Sequence, residues 1–228
     1  PATSTVLETR HRMDGVTTVK ADLIQPGASA IAPKEPLRVS GLLDRLYEFD
    51  ELTPALGRTY PTLQLRDLLH HEKPDELIRD LPIVISRRGV VFFKNQDLSP
   101  HEQKFVTDRL GHVTGKPASS GLHIHPVYNA ERQGKDQVVD ENGTQNKDNE
   151  ISVISSNLHR SLDVAPRSSA DEWHSDIAFE PVPADYTSLK VHTMPHTGGD
   201  TLWASGYEVY DLLSPPFRAM FEKLEGFY

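Results

Sequence analysis

Apolar residues fall into short, separable patterns along this chain, and each pattern predicts an element. Leu77, Ile78 and Leu81 recur at helical spacing within 74–81, and Val90-Val91-Phe92-Phe93 follows as a short buried strand. Ser99-Pro100-His101-Glu102 carries three agreeing helix-start signals. Ser99 can cap, Pro100 suits the first helical position, and Glu102 completes a capping box. Phe105, Val106 and Leu110 supply that helix's apolar stripe, and Gly111 is placed to end it. Ile151-Ser152-Val153-Ile154, Trp173–Phe179, Ser188–His192 and Asp200–Trp203 read as strands divided by Pro- and Gly-rich turns. Two short helices, 205–213 and 214–224, each open on a serine.

Elsewhere the pattern fails. Residues 1–60 show little apolar periodicity and are broken by Pro26, Pro33, Pro36 and Pro54, so they are expected to form a partly irregular N-terminal extension. Residues 61–228 are then the structured domain, and 131–150 is a polar loop insertion within it. Short strands with helices outside predict an α+β fold around a jelly-roll barrel. A length of 228 residues suits one such domain.

Composition narrows the functions. A net charge of −9 excludes a general nucleic-acid or anionic-membrane binder. No apolar run approaches the roughly 20 residues that span a bilayer, and Pro1-Ala2-Thr3-Ser4 lacks the blocks of a signal peptide, so a cytoplasmic protein is expected. With no cysteine, any metal site must use His, Asp or Glu.

His174-Ser175-Asp176 is the candidate site. Side chains two apart on a strand project the same way, so both can reach one ion. An imidazole and a carboxylate are two of three ligands in the facial triad of non-haem Fe(II) oxygenases. The spacing alone is weak evidence, since 11 histidines and 18 aspartates supply about one such pair by chance. The rival His70-His71-Glu72 lies in a charged, helical-looking segment, where side chains two apart diverge.

Four blocks give the pair its context. They are Gly89-Val90-Val91-Phe92-Phe93 with Leu98-Ser99-Pro100, then Leu122-His123-Ile124-His125-Pro126-Val127-Tyr128, then Trp173-His174-Ser175-Asp176, then Gly198-Gly199-Asp200-Thr201-Leu202-Trp203. In this order they resemble the taurine/2-oxoglutarate dioxygenase family, and the likeness covers roughly 75–228. The resemblance implies a double-stranded β-helix, or jelly-roll, with flanking helices. It implies Fe(II), 2-oxoglutarate and O2 as cofactor and co-substrates, and oxidation (hydroxylation first) of a small organic substrate with release of succinate and CO2. His174 and Asp176 would ligate iron, Thr201 would bind 2-oxoglutarate, and His125 and Tyr128 would meet a sulfonate-like anionic substrate. Family members are commonly homo-oligomers.

There are departures. The family's distal histidine and its 2-oxoglutarate-binding arginine find no match before Tyr228. His192 and His196 are too close to His174 to serve, so the domain is expected to be C-terminally incomplete. Ala170 stands where taurine dioxygenase has a substrate-binding asparagine. The alternatives are a non-catalytic fragment or interaction module lacking the third metal ligand, and a Zn(II) site in a cupin-type jelly roll.

Overall fold

In the computed structural model, residues 35–124, 138–139, 145–146, 150–152 and 173–225 are described. The chain divides into two units, Pro1–Pro36 and Leu37–Tyr228, and every element below belongs to the second. In order these are α1 (Leu42–Leu46), β1 (Asp50–Glu51), β2 (Arg58–Tyr60), α2 (Leu65–His70), α3 (Pro74–Arg88), β3 (Val91–Phe93) and α4 (Pro100–Thr114). They are followed by β4 (Val138–Val139), β5 (Gln145–Asn146), α5 (Gly206–Leu212) and α6 (Pro215–Phe221).

The core forms where these helices meet a small mixed sheet. β1 pairs antiparallel with β2, and β2 pairs parallel with β3 in the register Arg58↔Val91 and Tyr60↔Phe93. Parallel pairing demands a crossover connection, and α2 and α3 provide it. Leu43, Tyr60, Leu63, Leu68, Leu77, Leu81, Val84, Val106 and Leu110 are buried together. Within that cluster the Tyr60 ring stacks on Phe93 (centroids 5.8 Å apart) and meets Phe49 edge-on. Arg58 is buried at the sheet's flank, with its guanidinium 3.8 Å from the Phe49 ring centroid and bonded to Asp44 and Glu51. Burial opposes the charge on Arg58, but hydrogen bonds to Glu51 and Tyr60 outweigh it and its pKa is raised.

Compact structure therefore starts earlier than the expected boundary near residue 60. α1, β1 and β2 all precede it, and Leu43 is fully buried. These elements are too short to show apolar periodicity. α3 likewise outruns the expected 74–81, continuing to Arg88 through a buried Pro82. A helix tolerates that proline only where packing compensates its missing N–H, and Leu81, Ile83 and Val84 around it are all buried.

The α4 start is as expected. Ser99 Oγ accepts from Glu102 N at 3.3 Å, and Glu102 Oε2 accepts from Ser99 N at 2.8 Å. Arg66 adds two bonds to that carboxylate, at 2.7 and 2.9 Å. The helix ends later than Gly111, at Gly115, whose φ of 94° suits a residue without Cβ. α5 and α6 occupy the two expected short helices. The polar insertion includes a pairing that a plain loop would lack, since β4 and β5 run antiparallel with Val139↔Gln145.

The predicted strands after residue 150 are absent among the described residues. Ile151 and Ser152 are irregular, and Val153 and Ile154 lie outside the described residues. Segments 188–192 and 200–203 join no ladder. Segment 186–190 instead spends its polar groups on helices. Ser188 Oγ bonds Thr107 at 2.9 Å and Gln103 at 3.1 Å, Lys190 Nζ donates to Leu98 O at 2.6 Å, and Tyr186 and Ser86 hydroxyls lie 3.2 Å apart. What is described is helices around a small mixed sheet rather than a closed barrel.

Candidate functional site: the His174–Asp176 pair

The expected strand over 173–179 does not form: Trp173–Ser175 has no regular secondary structure, and a turn begins at Asp176. Ile177 has φ +58°, the left-handed region that a β-branched side chain rarely enters. The chain turns there, and Glu180 N donates to Ile177 O at 3.2 Å. This turn interrupts extended backbone at Ile177, and 173–176 pairs with no strand among the described residues.

The turn nonetheless keeps the candidate ligands together. His174 Nε2 and Asp176 Oδ1 stand 3.1 Å apart, on side chains 71% and 49% exposed. Metal–ligand bonds of about 2.1 Å set adjacent corners of an octahedron about 3.0 Å apart. One nitrogen and one oxygen donor at this separation fit two adjacent positions on a single ion. The same separation also allows a direct hydrogen bond between them. Among the described residues no group of three or more His, Asp or Glu side chains could hold a metal, so the third donor is not in this set.

The other sequence-predicted residues are placed less fully. Thr201 is exposed in an extended segment that follows a turn in which Gly198 and Gly199 both have positive φ, 77° and 76°. That segment is tied to the sheet through Trp203, whose ring meets Phe92 edge-on at 5.1 Å. His125 and Tyr128, and with them Ala170, lie outside the described residues. His192 and His196 are exposed and belong to no metal-holding group.

Sequence reasoning missed one contact near the pair. His123, its side chain 17% exposed, brings Nδ1 to 3.4 Å from Glu180 Oε1 and meets the Phe179 ring edge-on at 5.9 Å. Residues 123 and 180 are too far apart in the chain for local pattern to signal this.

An imidazole nitrogen and a carboxylate oxygen 3.1 Å apart make this pair a candidate for two positions on one metal ion. Comparison with known proteins makes the class specific. Residues 48–226 match the family model described as taurine catabolism dioxygenase TauD, TfdA family, and the chain belongs to that family. The alpha-ketoglutarate-dependent dioxygenase oryG of Aspergillus oryzae is 43% identical over 83% of this chain and 53% of its own length. The alpha-ketoglutarate-dependent dioxygenase btcD of Neocamarosporium betae is 38% identical over 84% and 57%. The alpha-ketoglutarate-dependent sulfonate dioxygenase of Saccharomyces cerevisiae is 31% identical over 74% and 35%. The chain thus spans about half the length, or less, of the curated relatives it matches. No solved structure matches it. No helix among the described residues is long and apolar enough to cross a membrane.

Proposed function

We propose that the whole protein is a 2-oxoglutarate-dependent Fe(II) dioxygenase acting on a small organic anion, with a sulfonate-like substrate as the leading choice. The observation that carries the proposal is the 3.1 Å separation of His174 Nε2 and Asp176 Oδ1 in a member of this family. Relatives named as 2-oxoglutarate-dependent dioxygenases, one of them a sulfonate dioxygenase, support the reaction class and the substrate class. The domain is read as a double-stranded β-helix whose closure needs strands beyond those described.

Each residue has a bounded task. His174 through Nε2 and Asp176 through Oδ1 would hold two positions on the metal, which supplies its chemistry at positions left to dioxygen and 2-oxoglutarate. Bound iron supplies the activation of dioxygen coupled to oxidation of 2-oxoglutarate. Thr201 donates its hydroxyl to the far carboxylate of 2-oxoglutarate, a contact that an arginine would have to strengthen. His125 and Tyr128 donate hydrogen bonds to the anionic end of the substrate. Trp173 and Phe179, about half exposed, would serve as aromatic walls that keep water from the site once substrate binds.

The test is succinate formation from 2-oxoglutarate by the full-length protein, with Fe(II) and a panel of small sulfonates, sulfate esters and carboxylates. One compound should raise succinate yield stoichiometrically with its own oxidation. His174→Ala and Asp176→Ala should each lower the rate at least a hundredfold, and near-normal turnover in either variant would remove that residue from the site.

A further inference from the structure

Asp176 is followed directly by backbone strain. Ile177 sits at φ +58°, and a β-branched residue stays there only when its surroundings over-determine the conformation. The turn's own hydrogen bond, Glu180 N to Ile177 O, closes it from inside. A contact from outside the turn comes from His123. Its ring is largely buried, its Nδ1 lies 3.4 Å from Glu180 Oε1, and its edge meets Phe179 at 5.9 Å. Both partners belong to the turn, three and four residues beyond Asp176.

We infer that His123 is a positioning residue: by gripping Phe179 and Glu180 it holds the left-handed Ile177 turn that sets Asp176 Oδ1 against His174 Nε2. The inference rests on the reading of His174 and Asp176 as metal ligands. Two features are explained together. A strained turn is retained next to a ligand, where loosening it would let the carboxylate swing away. A histidine two residues before the proposed substrate contact His125 has its Nδ1 3.4 Å from a carboxylate oxygen of the turn and only 17% of its side chain exposed. Outer contacts that orient metal ligands commonly change metal affinity by about 10- to 100-fold when removed. His123 acts one step further out, so its loss is expected to cost about tenfold, the low end of that range.

The experiment titrates full-length protein with Co(II) under anaerobic conditions, reading the ligand-field absorption, with thermal unfolding followed in parallel. His123→Ala should weaken Co(II) binding about tenfold. Adding Ile177→Asn, a residue that tolerates positive φ, should restore most of the loss, because the turn then no longer needs its grip. A His123→Ala protein that binds Co(II) within twofold of wild type, whatever its melting temperature, would overturn the inference. So would a loss of affinity that Ile177→Asn does not repair. If His123→Ala does not fold, Glu180→Gln, at a side chain 41% exposed, carries the same test. Its affinity should fall severalfold, and an unchanged value overturns the inference. His174→Ala separates the two levels. Unchanged Co(II) binding in that variant overturns the metal-ligand reading itself, whereas lost binding there with normal binding in His123→Ala overturns only the positioning role.

Discussion

Asp80 caps a helix to which it does not belong: its Oδ1 accepts from Ser40 N at 2.6 Å and its Oδ2 from Ser40 Oγ at 2.8 Å. Leu43 N adds a longer bond at 3.4 Å. The short helix α1 has Gly41 at its cap position, so Ser40 Oγ, which accepts from Leu42 N at 3.1 Å, and the fully buried carboxylate of α3 share that work.

Asp80→Ala should therefore cost about 3 kcal/mol, since donors are left without a charged acceptor in the core. Asp80→Asn should cost less, because an amide oxygen can still accept. Urea unfolding of the two variants checks this, and equal stability to wild type would show that water replaces the carboxylate without penalty.

Gly89 ends α3 at φ +69°, ψ −42°, outside the regions that side chains favour. A Cβ there would lie 2.5 Å from Leu56 Cδ1. Gly89→Ala should lower stability by about 2 kcal/mol, from backbone strain with the displacement of Leu56 added to it. Leu56→Ala in the same background should return part of it.

Glu102 gives the fold an acid limit. Hydrogen bonds from Arg66, aided by Ser99 and opposed by partial burial, lower its pKa from 4.5 to about 2. A depressed folded-state pKa means stability that is fully present above the unfolded value. It is lost as pH falls from about 4.5 through about 2. Glu102→Gln should flatten the stability profile in that window and leave the slope above pH 5 unchanged.

Ser188 fastens the segment before the Gly198-Gly199 turn to α4, through Gln103 and Thr107. Ser188→Ala should change global stability by less than about 1 kcal/mol, because the bonds are exposed. It should raise amide exchange across 186–190 several-fold, and unaltered exchange would show that the Ser188 hydroxyl does not hold the segment.

What could be read in advance was what is local. The Ser99–Glu102 box lies within one helical turn, and its residue types state the geometry outright. His174 and Asp176, the candidate pair, stand two residues apart in a recognisable block, so their closeness was legible too. The strands over 173–203 were not. A strand exists only when a partner supplies a ladder, and alternation in one segment says nothing of the partner. Ile177 carried the opposite signal, since its branched side chain argues for extended backbone and it occupies a left-handed turn. Asp80 read as an ordinary charge within a helical pattern, because its partner Ser40 lies forty residues away.

The setting of Arg58 bears on how sequences of this family are to be aligned and altered. Its planar fork reaches Asp44, Glu51 and the Tyr60 hydroxyl at once while lying over Phe49. A lysine, with one compact ammonium, can replace its charge but not that set of directions. Only 10% of the Arg58 side chain is exposed, against 35% of Asp44 and 36% of Glu51, so the guanidinium is enclosed while its partners meet solvent. A basic residue that substitution tables treat as interchangeable is here a fixed joint between α1 and the sheet.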